Sequence, residues 1–444
     1  MVTVNAAHSV LIRKGGDAAS HTDPPSPEEV EAIRYVARVK AAAAEHSDRP
    51  PSAILGIVHD ADEAVQALLP TNENLKKTIQ REGKKGLPPN PMHIEDLAEI
   101  PDTLRRTAAG NNFLLYDSGD DEDYDLDHRI IIFGTRQNLK LLFNSDIWFV
   151  DGTFQVVPSI FFQLFTIMGS VTQKHKGTER KIAFPLINSL LENKTEDSYS
   201  KVIEVILGLA AEFRLAIQHP HTVMCDFELA IINSVRTHFG DAAVRLCLFH
   251  LHQIVYRKIQ AEGLQQQYQD KEDASIRNAS HMMCALAFVP PNDVPDLFDR
   301  LYNELPEEFL SVADAFELNY IRGRRAQGRR RAVKVKYAPA AWNQYNSVIQ
   351  GYARTNNQSE GWHNRFQLLV GSPGIYAFIR ELIKEQADIE YTLRDLSLGK
   401  KVKSLPKGRL QQREEKISAI VATYEEHRDA GTELEYLKLI GYYF

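Results

Sequence analysis

The sequence predicts an α/β fold, a mixed β-sheet flanked by helices, from three observations. Residues 129 to 191 carry short apolar runs dense in β-branched and aromatic residues: RIIIFG, IWFVDGTFQVV (147–157), FFQLFTIMGSV (161–171) and KIAFPLINSLL (181–191). Such runs read as buried strands. Helix and strand signals then alternate up to His250, and the next hundred residues read as helix. Three strands, helix, strand, helix, strand is an order that builds a mixed sheet with helices on its faces.

Taken in order, residues 1 to about 25 are polar and irregular and close on SHTDPPSP. EEVEAIRYVARVKAAAAE (28–45) is rich in helix formers, and a second helix-like stretch spans Pro51 to Leu69. Residues 70 to 105 are charged and proline-punctuated, which predicts a linker, and DSGDDEDYDLD (Asp117 to Asp127) reads as a solvated acidic loop. After the strand runs, Thr195 is placed to cap a helix, with Glu196 and Asp197 in its first turn and a helical pattern over Tyr199 to Leu215. HTVMCD (221–226) reads as a strand, FELAIINSVRTHF (227–239) as an amphipathic helix and VRLCLFH (244–250) as a strand. Helical pattern returns in NNQSEGWHNRFQLL (356–369) and 373–397, and the charged tail 401–444 is helix-prone.

Bulk properties narrow the class. With 43% hydrophobic and 25% charged residues the chain reads as globular. Its three cysteines, Cys225, Cys247 and Cys284, are too few for a disulfide scaffold and fit a reducing compartment. The net charge of −7 rules out a polycation, so any nucleic-acid surface is local. The longest greasy stretch, Ile147 to Val171, is broken by Asp151, Gln155, Pro158 and Gln163, so no membrane span is expected.

Two carboxylates stand out by position. Asp151 lies inside IWFVDGTF and Asp226 closes TVMCD. A carboxylate in a buried strand is costly unless it is paired or binds a metal. With Glu360 on a helix, these acids would make an oxygen-rich site for two hard cations, Mg²⁺ or Mn²⁺, which suits phosphodiester chemistry. Each acid has a plainer reading. Asp151-Gly152 could form a type I′ turn, Asp226 could cap the helix from Phe227, and Glu360 could close a capping box with Asn357. Glu228 and Glu179 read as ordinary helix-start and loop charges. On the Glu360 helix, His363, Asn364 and Gln367 share its polar face, and Trp362, Phe366 and Leu369 form an apolar one.

Other groups carry weaker signals. Cys247-x-x-His250 and His281-x-x-Cys284 have the spacing of half-sites for zinc, but buried thiols and satisfied imidazoles are the favoured reading, so zinc is not expected. His252 reads as incidental. The run RGRRAQGRRRAVKVK holds Arg322, Arg324, Arg325, Arg329, Arg330, Arg331, Lys334 and Lys336 with no acid. It reads as a DNA-phosphate contact or a nuclear-localisation signal, with a solvated loop the alternative. Trp342 and Tyr345 read as core of a helical block, with base stacking the second option.

The motifs DGTFQVVPSIFFQLFTIMG, FPLINSLLENKTEDSY, CDFELAIINSVRTHF, CLFHLHQIVYRKIQ and RTNNQSEGWHNRF, in this order, closely resemble the MULE (Mutator-like element) transposase domain. The resemblance runs from about Leu115 to Gln386. It implies a ribonuclease-H-like fold, its sheet interrupted by a large all-helical insertion before the last acid's helix. It implies a catalytic triad of Asp151, Asp226 and Glu360, with Cys247 and His250 as the family's C-x-x-H pair near the site. His250 is expected to support substrate DNA or a triad carboxylate, with His363 auxiliary. The division expected is 1–110 for an N-terminal helical and linker region, partly disordered, 111–255 for the first part of the core, 256–350 for the helical insertion with the basic run, 351–400 for the final Glu helix and the helix after it, and 401–444 for a helical tail.

Relatives of this kind often carry a FLYWCH-type zinc finger upstream. SHTDPPSPEEVE resembles the segment that follows such a finger, but no Cys precedes Cys225, so no finger is expected here. A truncated gene model or the loss of the DNA-end module would account for that.

The expected function is DDE-type DNA transposition: metal-dependent strand cleavage and strand transfer in the nucleus, on transposon ends and target DNA, by a homo-oligomer during synapsis. The alternatives are a domesticated, non-catalytic DNA-binding or regulatory protein that keeps the fold, and an RNase-H-like nuclease.

Overall fold

The computed structural model describes residues 3–4, 11–13, 26–45, 51–83, 85, 87–175, 178–240, 243–324, 331–351, 357–370, 374–402 and 408–444. Two compact units form, Met1–Asn90 with Ile379–Lys384, and Pro91–Phe378 with Glu385–Phe444.

In the first unit, Thr3–Val4 and Leu11–Arg13 pair antiparallel. Helices span Pro27–Glu45, Pro51–His59, Glu63–Gln66 and Asn72–Gly83. The second helix-like stretch is thus two helices, parted at residues 60–62. The helix Asn72–Gly83 corrects the expected linker. Its stabilising contact is narrow: Leu75 and Ile79, one helical turn apart, bury against Val39, Ile54, Leu55 and Val58.

The second unit holds a seven-stranded sheet among the described residues. In chain order the strands are β1 (Leu114–Asp117), β2 (Ile130–Phe133), β3 (Ile147–Thr153), β4 (Gln163–His175), β5 (Thr178–Leu191), β6 (Thr222–Cys225) and β7 (Ala243–Leu246). The order across the sheet is β1-β2-β5-β4-β3-β6-β7. β3, β4 and β5 pair antiparallel, while β6 joins β3 in parallel and β7 joins β6 in parallel. The sheet is mixed, as the order of elements predicts.

Parallel neighbours require crossover helices, which cover both faces. Ile147, Trp148, Phe149 and Val150 are all buried, so β3 lacks the alternation of a strand with one wet face. The crossovers are α2 (Glu196–Glu212) and α3 (Leu229–Phe239), and α1 (Arg136–Phe143) precedes β3. Thr195 caps α2 as expected, its side chain accepting from Ser198 N. Trp148 packs edge-on between Phe143 and Phe239, and its indole donates to Leu142 O at 2.9 Å.

The acidic stretch from Asp117 is not wholly a solvated loop. Asp117 belongs to β1, and its buried carboxylate receives Arg129 Nε at 2.8 Å and Nη2 at 2.9 Å, a bidentate pair that ties β1 to β2.

Beyond β7, α4 (Leu248–Ala261) opens a block of helices that reaches Ile349. The strand expected over 244–250 ends at Leu246, and residues 248–250 already belong to α4. The helices of the tail, Arg409–Ala422, Tyr424–Ala430 and Glu433–Gly441, pack into this block through Val421, Tyr424, Tyr436 and Ile440. Trp342 is fully buried there and donates to the carbonyls of Tyr320 and Tyr337, which excludes the stacking option for it. Between block and tail, α5 (Asn357–Val370) returns to the sheet. Among the described residues, no helix is long and apolar enough to cross a membrane.

Candidate active site

The site is built where two parallel strands end side by side. Phe149 on β3 pairs with Met224 on β6, so Asp151 on β3 and Asp226, just past the end of β6, each fall two residues further along. Adjacent strands run about 4.8 Å apart, which brings the two carboxylates together. Asp151 is a strand residue opposite Thr166, not part of a turn. Asp226 does not cap α3 either, because the position before that helix is held by Glu228.

Helix α5 supplies the third acid. Trp362 stacks on Phe366 with ring centroids 5.0 Å apart and donates to Glu385 Oε1 at 2.8 Å. Gln358 Oε1 accepts from the Ala183 amide of β5 at 2.9 Å. The apolar face is shorter than expected, since Leu369 is 59% exposed. This seating places Glu360 and His363, one turn apart, over the ends of β3 and β6.

Two imidazoles bind the acids together. His363 Nδ1 lies 3.1 Å from Asp151 Oδ2, and its Nε2 lies 3.4 Å from Thr166 Oγ1, which donates to Asn188 Oδ1 at 3.1 Å. The network crosses β3, β4 and β5. On α4, His250 Nδ1 lies 2.8 Å from Asp226 Oδ1, and its Nε2 lies 3.7 Å from Glu360 Oε1. His250 thus contacts the carboxylates of both Asp226 and Glu360.

Electrostatics follow from this crowding. Burial pushes the Asp226 carboxyl above its usual range, and the charge of Asp151 adds to that against the pull of His250. Burial also raises Glu360, with Asp151 and Asp226 adding to it and His250 opposing. For His250, burial disfavours the charge, but the Asp226 carboxylate and the Cys247 thiol outweigh it and hold the ring at about 10.

Close approach does not mean saturation. Asp226 Oδ1, His250 Nδ1 and Glu360 Oε1 are buried without an aligned hydrogen-bond partner, although the first two are 2.8 Å apart. The short distance establishes contact, and the poor alignment leaves the lone pairs unspent. Buried carboxylate oxygens in that condition suit a hard cation. The ligand atoms of Cys247, His250 and Glu360 also lie within 4.8 Å of one another. His281 and Cys284 are not in that group. His281 faces Tyr268 and Phe444.

Sequence reasoning missed a polar chain behind the acids. Glu228, read as an ordinary helix-start charge, accepts from Tyr199 Oη at 2.9 Å. Gln163 Nε2 donates to Tyr199 Oη at 2.9 Å and to Asn193 O at 3.0 Å. Burial raises the Glu228 carboxyl, while Tyr199 and Lys194 oppose. The available signal was Gln163, a polar residue that interrupts an apolar strand run.

The acid loop is also tied to the helical block. Tyr337 Oη donates to Phe227 O at 2.6 Å, and the rings of Phe227, Tyr320 and Tyr337 pack together. The basic run springs from this cluster. Arg324 and Val333 exchange backbone hydrogen bonds of 2.8 Å, a pairing open only to glycine at 323, where φ is +71° and a Cβ would sit 2.2 Å from Val333 O. Arg324, Arg331, Lys334 and Lys336 are exposed, and Arg322 is engaged by Asp299 and Glu317. Arg325, Arg329 and Arg330 lie outside the described residues.

Residues 147–254 match the family model of the MULE transposase domain, a span that takes in Asp151, Asp226, Cys247 and His250. No curated protein matches the chain.

Proposed function

Because this chain carries a MULE transposase domain over residues 147–254, we propose that it is a DDE-type DNA transposase of the Mutator-like superfamily. In this reading Asp151, Asp226 and Glu360 are the catalytic acids. The observation that carries it is their convergence: three acids from distant segments meet around His250 and His363, and Asp226 Oδ1 and Glu360 Oε1 are buried without an aligned hydrogen bond. The mixed sheet, entered by three antiparallel strands and continued by two parallel ones, supports a ribonuclease-H-like core over 111–255, completed by 351–400 and interrupted by a helical insertion over 256–350.

The three acids fit two Mg²⁺ or Mn²⁺ ions, which when bound activate the attacking oxygen and stabilise the leaving one in phosphodiester chemistry. The protein's own residues orient and balance that site. His363, fixed by Thr166, holds the Asp151 carboxylate at one angle, a role that outer groups play for metal ligands generally. His250 offsets part of the charge of Asp226 and Glu360. Exposed Arg324, Arg331, Lys334 and Lys336 contact DNA phosphates, which position a duplex without reading its sequence. Transposon ends and target are both DNA, a homo-oligomer brings the ends together, and a nuclear location belongs to the same reading.

The test is strand cleavage and joining on DNA carrying the ends of the element, with Mg²⁺ or Mn²⁺. Asp151→Asn, Asp226→Asn and Glu360→Gln are each expected to abolish both reactions while DNA binding persists. Cleavage at the wild-type rate by any one of them overturns the assignment. Joining of a pre-cut end distinguishes a transposase from a nuclease that only hydrolyses.

A further inference from the structure

Two large aromatic side chains stand in solvent at the end of the strand that carries Asp151. Phe154 is 50% exposed and Phe162 is 45% exposed. Their rings meet edge to face at 5.1 Å, and Lys194 Nζ lies 5.9 Å from the centre of Phe154. Exposed phenyl rings of this size are not accounted for by the core. The loop that bears them is anchored elsewhere, by buried Val156 and Phe161, by Phe161 N donating to Pro158 O and by Phe162 N donating to Leu191 O. The rings are therefore free to contact a ligand without holding the fold.

Their place in the fold connects them to the acids. Phe154 follows Asp151 by three residues, past the last paired position of β3. Lys194 sits in the turn whose neighbour Asn193 accepts from Gln163, in the chain that leads through Tyr199 to Glu228, two residues from Asp226. An exposed aromatic pair with an ammonium over one of its rings offers the chemistry of one nucleotide unit, rings to stack a base and a cation to pair a phosphate.

We propose that Phe154, Phe162 and Lys194 form a stacking platform for an unpaired base of the DNA strand entering the acid site. This rests on the transposase reading and adds to it a single-stranded element in the substrate. The ring faces take the base irrespective of its identity, because every base presents a π-face, and Lys194 pairs with the adjoining phosphate.

The experiment compares a blunt duplex with the same duplex bearing a short unpaired extension that contains 2-aminopurine, both with Ca²⁺ as the ion. The wild type is expected to prefer the tailed duplex and to quench the probe. Phe154→Ala is expected to lose about ten-fold in affinity for the tailed duplex, with the quench, and to keep its affinity for the blunt one. Lys194→Ala is expected to weaken the tailed complex and lower its salt dependence. An unchanged thermal melt of each variant shows that the fold persists. Retention of both preference and quench by Phe154→Ala, or equal wild-type affinity for the two duplexes, overturns the platform and leaves the acid site untouched. Failure of the wild type to bind either duplex overturns the transposase reading and the platform with it.

Discussion

His363 Nδ1 stands 3.1 Å from Asp151 Oδ2, though 212 positions separate the two residues in the chain. Asp151 is 6% exposed and His363 is 7% exposed, so neither can turn to water for a substitute partner. His363→Ala is expected to lower the cleavage rate at least ten-fold with DNA affinity unchanged. It should also cost about 1–3 kcal/mol of stability, since a buried acceptor loses its partner. Single-turnover kinetics, binding and denaturant melts separate the three effects. A normal rate in this variant would show that Asp151 needs no orienting group.

The unspent oxygens of Asp226 and Glu360 predict a stabilising cation. At a concentration one hundred times its dissociation constant, Mn²⁺ is expected to add about 2.7 kcal/mol to the unfolding free energy of the second unit. The gain should shrink sharply in Asp226→Asn and Glu360→Gln, both of which remove charge from the pocket. Calorimetry with and without a chelator provides the measurement, and an equal gain in wild type and variants counts against an acid-bound ion.

Behind the acids, Gly152→Ala tests the polar chain. A Cβ at residue 152 would meet Gln163 Oε1 at 2.5 Å, so the amide has to move away from Tyr199 and Asn193. Tyr199→Phe removes the hydroxyl from the other side. Each is expected to destabilise by about 1–3 kcal/mol, and the pair by less than the sum because they break one network. Strict additivity in a double-mutant cycle would mean that the two do not act through Gln163.

His252 predicts a pH effect on stability. Burial lowers its pKa to about 4, its Nε2 has no hydrogen-bond partner, and its ring packs against Phe444 at 4.3 Å. An ordinary histidine takes its proton near 6.5. Between 6.5 and about 4 the unfolded chain therefore binds a proton that the folded chain refuses, and stability falls as pH falls through that window. His252→Phe keeps a ring and removes the titration. Its melting temperature should decline less than the wild type's between pH 7 and pH 4.5, and parallel declines would contradict the assignment.

Much of the sheet was legible because β2 to β6 are written as apolar runs dense in β-branched and aromatic residues. Other elements escaped for identifiable reasons. Residues 136–143 lie between two strand runs, and only four buried side chains, Asn138, Leu139, Leu142 and Phe143, mark the helix. Asn72–Gly83 looks like a linker because its charged residues outnumber the two apolar ones that matter. In LCLFH the apolar character runs unbroken from β7 into α4, so periodicity could not locate the turn at Cys247. Asp117 reads as one acid among many until Arg129 is found against it.

The candidate site was legible in part. Asp151 and Asp226 betray themselves as charges in apolar strands, whereas Glu360 has no such contrast on its helix. His250 and His363 were named as auxiliary residues, but which carboxylate each one meets depends on contacts between distant segments. Phe154 and Phe162 were hidden by their setting, because an aromatic residue in a greasy run reads as core whichever way it points.

The third acid reaches the pocket only through α5, which the ribosome makes after the whole helical block from Leu248 to Ile349. A nascent or clipped polypeptide that stops short of it carries two of the acids and lacks the third. On the proposed reading, competence to cut waits until α5 has been made.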